Sequence, residues 1–181
     1  MWKIIGCILI LFGSGACGFY GVEHMRKRLQ ELESVKKYTI FMKGEIRYGN
    51  RTIPEMLIQM ERKAVGNWKK FFGNAGRLLE HKDAGTLSQI WGEMINMHLK
   101  TSYLTKEEKK EWKELGDSLG YLDKEMQINL LEIYEEHIKE YIRLEKEKIY
   151  SQSKMYQVLG IVSGVFLVVI FIEMQKYLVI L

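Results

Sequence analysis

The side chains that could bind a metal ion or act as a general base are few and far apart in this sequence. The histidines are His24, His81, His98 and His137, and no two of them have the spacing of a metal-binding pair on a helix. His98 and His137 fall on or near apolar stripes, where a histidine is more often a hydrogen-bonded packing residue than a ligand or a base. We therefore predict no metal site and no histidine-based catalysis.

The two cysteines, Cys7 and Cys17, lie in one apolar segment. At about 100° per residue their spacing puts them on different faces of a helix, so a disulfide between them is not expected. The sequence also contains no GxxxxGK[ST] phosphate loop, no HExxH and no GxSxG. We predict that the chain binds no cofactor and no small-molecule substrate, and that it is not an enzyme.

The carboxylates mostly alternate with lysine along the chain, which is typical of solvated helix faces. Glu45 differs, because in the stretch EIRYG it falls close to an apolar stripe beside Ile46 and Tyr48. A carboxylate there needs a partner. Two interpretations follow: a structural salt bridge with a nearby Lys or Arg, or a functional acidic site.

The length and charge of the chain limit its class. The 181 residues indicate one domain. The formal charge of +4 is too small to indicate a nucleic-acid partner. No segment alternates polar and apolar residues for long enough to predict a sheet.

Two segments are long and apolar enough to predict membrane spans. Residues 4–22 and 155–172 contain no charged side chain, and about 20 apolar residues cross the hydrocarbon core as a helix. The predicted organisation is a membrane helix at 1–22, a helical domain at 23–154, and a second membrane helix with a short tail at 155–181. In the second span Gly160 and Gly164 form a GxxxG pair that favours close helix packing.

The flanks of the first span decide between three interpretations of its end. Ser14 and Ala16 would suit a signal-peptide cleavage site, and Cys17 a lipoprotein, but the lipoprotein motif lacks the usual leucine at position 14. Basic residues 26–28 follow the span at once and oppose translocation. We therefore predict an uncleaved anchor and a middle region that stays in the cytoplasm.

The middle region has helical periodicity throughout, with start and stop signals between the helices. The predicted capping boxes are Thr52 with Glu55, Thr86 with Gln89, and Thr105 with Glu108. Gly49 is expected to end the first helix, and Gly120 to end the fifth in the left-handed position past a helix end. Asp123 is expected to cap the last helix. Gly116 lies inside a predicted helix, where glycine is unfavourable, so we expect another helix to approach it closely. The predicted fold is an all-α, antiparallel six-helix bundle between two transmembrane helices.

Several longer stretches of the sequence are distinctive when taken together. They are KIIGCILIL with GFYG near the start, EIRYG at 45–49, IWGEM around Trp91, LGDSLGYLDKEMQ at 115–127, and SKMYQVLGIVSG at 153–164. In these stretches, and nearly end to end, the chain resembles the stage III sporulation protein AB family of endospore-forming bacteria.

This resemblance implies a place in the mother-cell assembly formed with the AA protein and the AC to AH proteins. That assembly meets a forespore membrane protein called Q and is thought to form a channel between the two cells. The bundle is similar to the cytoplasmic domain of the F-type platform proteins of type II secretion systems, whose partner is a secretion ATPase. The chain is thus expected at the outer forespore membrane, with its bundle in the mother-cell cytoplasm, as a platform for the AA ATPase. Pairing of copies would supply the second bundle that platform proteins carry.

The resemblance and the motifs together select the residues expected to matter. Those expected to contact a partner are Glu45, Tyr48, Glu108 and Gln127. Those expected to shape the bundle are Gly49, Trp91, Gly116, Gly120 and Asp123. The rival hypothesis is a membrane-anchored sensor or regulator whose bundle binds a small molecule, and its structural sign would be a large apolar cavity.

Overall fold

The computed structural model describes residues 2–49, 51–81 and 85–179, with side chains chiefly for the described residues between 23 and 155. These residues form six α-helices and no strand. The helices are α1 (Trp2–Tyr48), α2 (Ile53–Lys63), α3 (Gly66–Glu80), α4 (Leu87–His98), α5 (Lys106–Leu119) and α6 (Lys124–Val179). The predicted all-α fold with six helices is confirmed.

The chain divides into two units. One comprises Met1–Lys27 and Leu144–Leu181, and the other, which we call the bundle unit, is Arg28–Arg143. The helices α1 and α6 each run through both units.

The predicted membrane spans belong to the first unit. Most side chains of residues 4–22 and 155–172, and the surroundings of Gly160 and Gly164, lie outside what the structure describes. Within the part of the chain that it does describe, no helix has the length and apolar character needed to cross a membrane. The two spans and their glycine pair stay predictions.

In the bundle unit, α1 and α6 pack side by side in opposite directions. Lys43 Nζ lies 2.7 Å from Glu135 Oε2, and Arg47 Nη2, one turn later in α1, lies 2.9 Å from Glu132 Oε1, one turn earlier in α6. The intervening helices follow as short hairpins, with α2 against α3, α3 against α4, and α4 against α5. The result is the antiparallel order that the sequence predicts.

The core of the bundle unit is built on aromatic rings from five of the helices. They are Tyr38, Trp68, Phe71, Phe72, Trp91, Trp112 and Tyr134. Many of these rings meet edge to face, as Phe71 does with Trp91 at a centroid distance of 5.0 Å. Edge-to-face contacts let the positive edge of one ring meet the negative face of the next. Apolar burial and ring geometry therefore fix the same arrangement.

The predicted helix starts are confirmed. Thr52 N–H donates to Glu55 at 2.8 Å, and Thr86 and Thr105 each exchange hydrogen bonds with the residue three positions later. Asp123 Oδ1 accepts a hydrogen bond from Met126 N–H at 2.9 Å. These bonds satisfy donors that the first turn of a helix leaves without a partner.

The predicted conformation of Gly120 is wrong. Its backbone is right-handed, with φ −77° and ψ −17°. The chain leaves α5 through a turn in which Tyr121 N–H donates to the Ser118 carbonyl at 3.2 Å, so no left-handed residue is needed. A Cβ at Gly120 would lie 3.4 Å from Leu87 Cβ. That is an ordinary van der Waals distance, so neither the backbone conformation nor the approach of α4 requires a glycine at this position.

Candidate interaction site

The bundle unit has two distinct ends. At one of them Arg28 Nη2 lies 2.7 Å from Glu108 Oε1, and Tyr141 Oη donates to Glu111 Oε1 at 2.6 Å. Both links to the first unit therefore leave beside the start of α5, at what we call the connection end. The opposite end, called the far end, holds the α1–α2 and α5–α6 connections.

The far end brings together three of the four residues expected to contact a partner. Glu45 and Gln127 line a cleft of about 250 Å³ between the end of α1 and the starts of α2 and α6. Tyr48 lines a wider cleft of about 730 Å³ beside α2 and the end of α3. Gly49 and Arg51 border both clefts.

Glu45 is held by an ion pair. Its Oε2 lies 2.6 Å from Arg51 Nη1, and its side chain is 17% exposed. A Cβ at Gly49 would lie 2.5 Å from the Glu45 carbonyl oxygen and 2.8 Å from the same carboxylate oxygen, so a larger residue would have to displace the backbone at the end of α1. Of the two interpretations of Glu45, the structure supports the salt bridge, with the carboxylate still bordering the cleft.

The Gln127 side chain is hydrogen-bonded within the protein, whereas the Tyr48 side chain is exposed to solvent. The Gln127 amide donates to the carbonyls of Leu119 at 2.7 Å and Leu122 at 3.0 Å, which ties the end of α5 to α6. Tyr48 is 83% exposed. Of the three far-end residues Glu45, Tyr48 and Gln127, Tyr48 is therefore the one whose side chain points into solvent.

Glu108 lies away from the far end and is buried. Its side chain is 2% exposed, and it accepts hydrogen bonds from Arg28 at 2.7 Å and from Thr105 N–H at 2.7 Å. A buried carboxylate needs such partners, because the unpaired charge would be costly. In this arrangement Glu108 joins α1 to α5 rather than facing outward, and it forms no part of the far end.

Trp91 and Gly116 form one buried contact between α4 and α5. A Cβ on Gly116 would overlap the Trp91 indole ring, and Trp91 Nε1 donates to the Trp112 carbonyl at 2.9 Å. The close approach expected at Gly116 is thus made by a tryptophan ring.

Two structurally important charged residues have no signal in the sequence. Glu31 accepts hydrogen bonds from Trp68 Nε1 at 2.8 Å and from Tyr103 N–H at 2.6 Å, so it joins α1 to α3 and to the α4–α5 connection. Arg51 borders both clefts and pairs with Glu45. Each looks like an ordinary surface charge when only its neighbours in the sequence are considered.

The described side chains include no group of three or more potential metal ligands. His98 Nε2 forms a hydrogen bond with Asn74 Nδ2 at 2.9 Å. Burial, together with the nearby charge of Lys70, lowers the pKa of the His98 imidazole. His137 Nδ1 lies 3.6 Å from Glu111 Oε2. The two clefts of the far end are open and bordered by charged side chains, unlike the large apolar cavity that would favour a small-molecule sensor.

The pairing of α1 with α6 should give the stability of the protein a defined pH dependence. Hydrogen bonds from Lys43 and then Lys139 hold the pKa of the Glu135 carboxyl below its usual 4.5, and Glu135 is 8% exposed. A carboxylate with a lowered folded pKa stabilises the protein above its unfolded pKa, and this contribution is lost as the pH falls through the folded pKa.

We expect Glu135→Gln to lower the free energy of unfolding by about 1 kcal/mol at pH 7, since a hydrogen bond to a charged group is lost. The difference from the unsubstituted protein should shrink as the pH falls below 4.5. Thermal unfolding of both proteins at pH 7 and at a pH below 4.5 measures this difference in stability. Glu136→Gln is the control, because the Glu136 side chain is 71% exposed, and it should change little. An equal difference at both pH values would contradict the assignment.

The comparison with protein families gives a clear result. The family model described as stage III sporulation protein AB matches residues 3–172. The chain belongs to this family. The AB family is a sporulation family and not a known family of enzymes, so a role in sporulation follows for this member.

A solved structure titled "Stage III sporulation protein AB (SpoIIIAB)" has a similar fold. The similarity covers 68% of this chain and 97% of that chain, with a TM-score of 0.62 at 17% sequence identity. At this identity the likeness establishes the AB-family fold alone. A search of curated protein sequences gave no match.

Proposed function

We propose that this chain is a non-catalytic membrane platform of the stage III sporulation channel assembly. Residues 4–22 and 155–172 anchor it in the outer forespore membrane, and the bundle unit lies in the mother-cell cytoplasm. There it docks the AA ATPase and contacts others of the AC to AH proteins. The family membership and the charged flanks of the two apolar segments support this proposal.

The observation that carries the docking role is the arrangement of the two ends of the bundle unit. Both links to the first unit leave at the connection end, beside Arg28 and Arg143. The far end is thus the part of the bundle unit most distant from the links. It presents Tyr48 beside two charged clefts. An exposed tyrosine beside charged side chains is a common anchor of protein interfaces.

The charges of the far end favour a partner surface of mixed sign. The wider cleft is bordered by two basic residues, Arg51 and Arg62, and by two acidic residues, Glu55 and Glu80. Complementary charges at an interface contribute more to specificity and association rate than to affinity. The platform would therefore recognise its ATPase by charge pattern and hold it through Tyr48.

We predict that Tyr48→Ala weakens capture of the ATPase about tenfold while the bundle stays folded, because a central tyrosine contributes about 1.4 kcal/mol or more to such interfaces. The measurement is co-purification of the AA protein with the full chain from sporulating cells, together with the yield of heat-resistant spores.

The matched control is Ile133→Ala, which removes a side chain 58% exposed on α6. It should leave both co-purification and spore yield unchanged. Equal co-purification with Tyr48→Ala and with the unsubstituted chain would overturn docking at the far end. Normal spores from a clean deletion of the gene would overturn the platform role as a whole.

A further inference from the structure

The connection end carries a group of basic side chains that the proposed docking role does not use. It comprises the start of α3, the end of α4, the α4–α5 connection and the start of α5. Asn67 Nδ2 lies 3.3 Å from Thr101 Oγ1, and Lys109 Nζ lies 3.3 Å from the Lys100 carbonyl, so these segments are adjacent. The basic group, which we call the basic rim, is Lys69, Lys70, Lys100, Lys106, Lys109 and Lys110.

Little negative charge opposes the basic rim. Among the described residues, Lys69, Lys70, Lys100 and Lys106 form no ion pair, and Lys110 has one weak exposed pair with Glu114 at 3.5 Å. Of the nearby carboxylates, Glu108 is neutralised by Arg28, while Glu31 is held by two uncharged donors and keeps its negative charge. Glu107 is exposed in the first turn of α5. The rim therefore has a net positive charge.

Helix stability does not account for these positions. Lys69 and Lys70 are near the start of α3, whose first turn has no acidic residue, and Lys106 is the first residue of α5. The start of a helix carries partial positive charge, so a cation there is unfavourable. These lysines therefore do not stabilise their own helices, and their charges are available to an anionic partner.

Exposed apolar side chains accompany the charges. Val65 is 71% exposed before the start of α3, and Met97 is 65% exposed in the last turn of α4. Basic side chains mixed with apolar ones are typical of surfaces that rest in the headgroup region of a bilayer. Both links to the apolar segments at 4–22 and 155–172 leave from this same end of the bundle unit.

We propose that the basic rim, with Val65 and Met97, rests on a membrane surface and binds the headgroups of anionic lipids. Each lysine near such a surface strengthens binding about fivefold, and the effect is confined to about a Debye length. This inference rests on the proposed membrane anchoring and adds to it a lipid preference and a fixed orientation of the bundle.

The test places an environment-sensitive nitrobenzoxadiazole dye at Met97→Cys in the full chain, with Cys7→Ser and Cys17→Ser as background. The chain is reconstituted into phosphatidylcholine vesicles with and without about 30% phosphatidylglycerol, which supply the negative surface potential. A quencher attached to lipid headgroups reports proximity. The matched label is at Met126→Cys, a residue 55% exposed at the far end.

We expect quenching at position 97 to rise at least about twofold with phosphatidylglycerol, because the anionic surface draws in the rim, and quenching at position 126 to stay low. The triple variant Lys69→Gln, Lys100→Gln and Lys106→Gln should lose this rise. Lys124→Gln, which removes an exposed lysine at the far end, should keep it.

Equal quenching at position 97 in neutral and anionic vesicles would overturn the inference, and so would a rise that survives the triple variant. An acidic protein would then be the better candidate for the rim. The Tyr48 experiment is independent of this result. If Tyr48→Ala weakens capture of the ATPase as expected while position 97 shows no lipid dependence, the docking role stands and the lipid contact falls.

Discussion

Replacing Gly116 with valine is expected to lower the free energy of unfolding by about 3 kcal/mol, since it overpacks a filled core. A Cβ at this position would overlap the Trp91 ring, and both residues are buried. Displacing the ring would also break the bond from Trp91 Nε1 to the Trp112 carbonyl. That bond contributes about 1 kcal/mol of the expected total.

Thermal unfolding of the full chain, followed by tryptophan fluorescence, measures the effect. Gly44→Ala is the control, because nothing lies within 4 Å of a Cβ at Gly44. Alanine there should stabilise α1 by up to about 1 kcal/mol through helix propensity. If Gly116→Val unfolded at the same temperature as the unsubstituted chain, the contact between α4 and α5 described above would be wrong.

The second large effect is expected at Glu108. We expect Glu108→Ala to lower the free energy of unfolding by about 3 kcal/mol, because it breaks an ion pair whose carboxylate is buried. Arg28 would lose its ion pair with this carboxylate, and the start of α5 would lose its capping bond with Thr105.

The control for Glu108 lies on the same helix. Glu114 is 60% exposed and pairs with Lys110 at 3.5 Å, so Glu114→Ala should have no measurable effect. The double variant Arg28→Ala with Glu108→Ala should be more stable than the sum of the single effects predicts, since the two side chains interact directly. If Glu108→Ala kept its stability and lost the ATPase, Glu108 would be the partner contact that the sequence suggested.

The helices could be predicted because their signals are local. Thr86 and Gln89 are three residues apart, and the two hydrogen bonds that start α4 join only those residues. The cost of glycine inside a helix likewise indicated a close contact at Gly116 before its partner was known. The antiparallel order followed from short connections between helices with one apolar face each.

The long-range partners of individual carboxylates could not be predicted, because they lie far away in the chain. Glu108 is paired with Arg28, which lies 80 residues before it, and Glu31 contacts Tyr103, 72 residues after it. In the sequence Glu31 resembles the exposed glutamates beside it, and Glu108 shows only its local capping role with Thr105. Gly120 shows a different limit, because glycine adopts right-handed and left-handed conformations about equally well, and the turn closed by the Ser118 carbonyl uses the right-handed one.

The separation of the two ends of the bundle unit also determines how their charges act on each other. At about 1.5 Å per residue, α1 rises roughly 30 Å between Arg28 and Tyr48. The Debye length at physiological ionic strength is about 8 Å, which is much shorter than this distance. The electrostatic interaction between charges at the two ends is therefore almost fully screened. Substitutions at the basic rim and at Tyr48 should thus have additive effects, and salt should weaken contacts at the two ends independently.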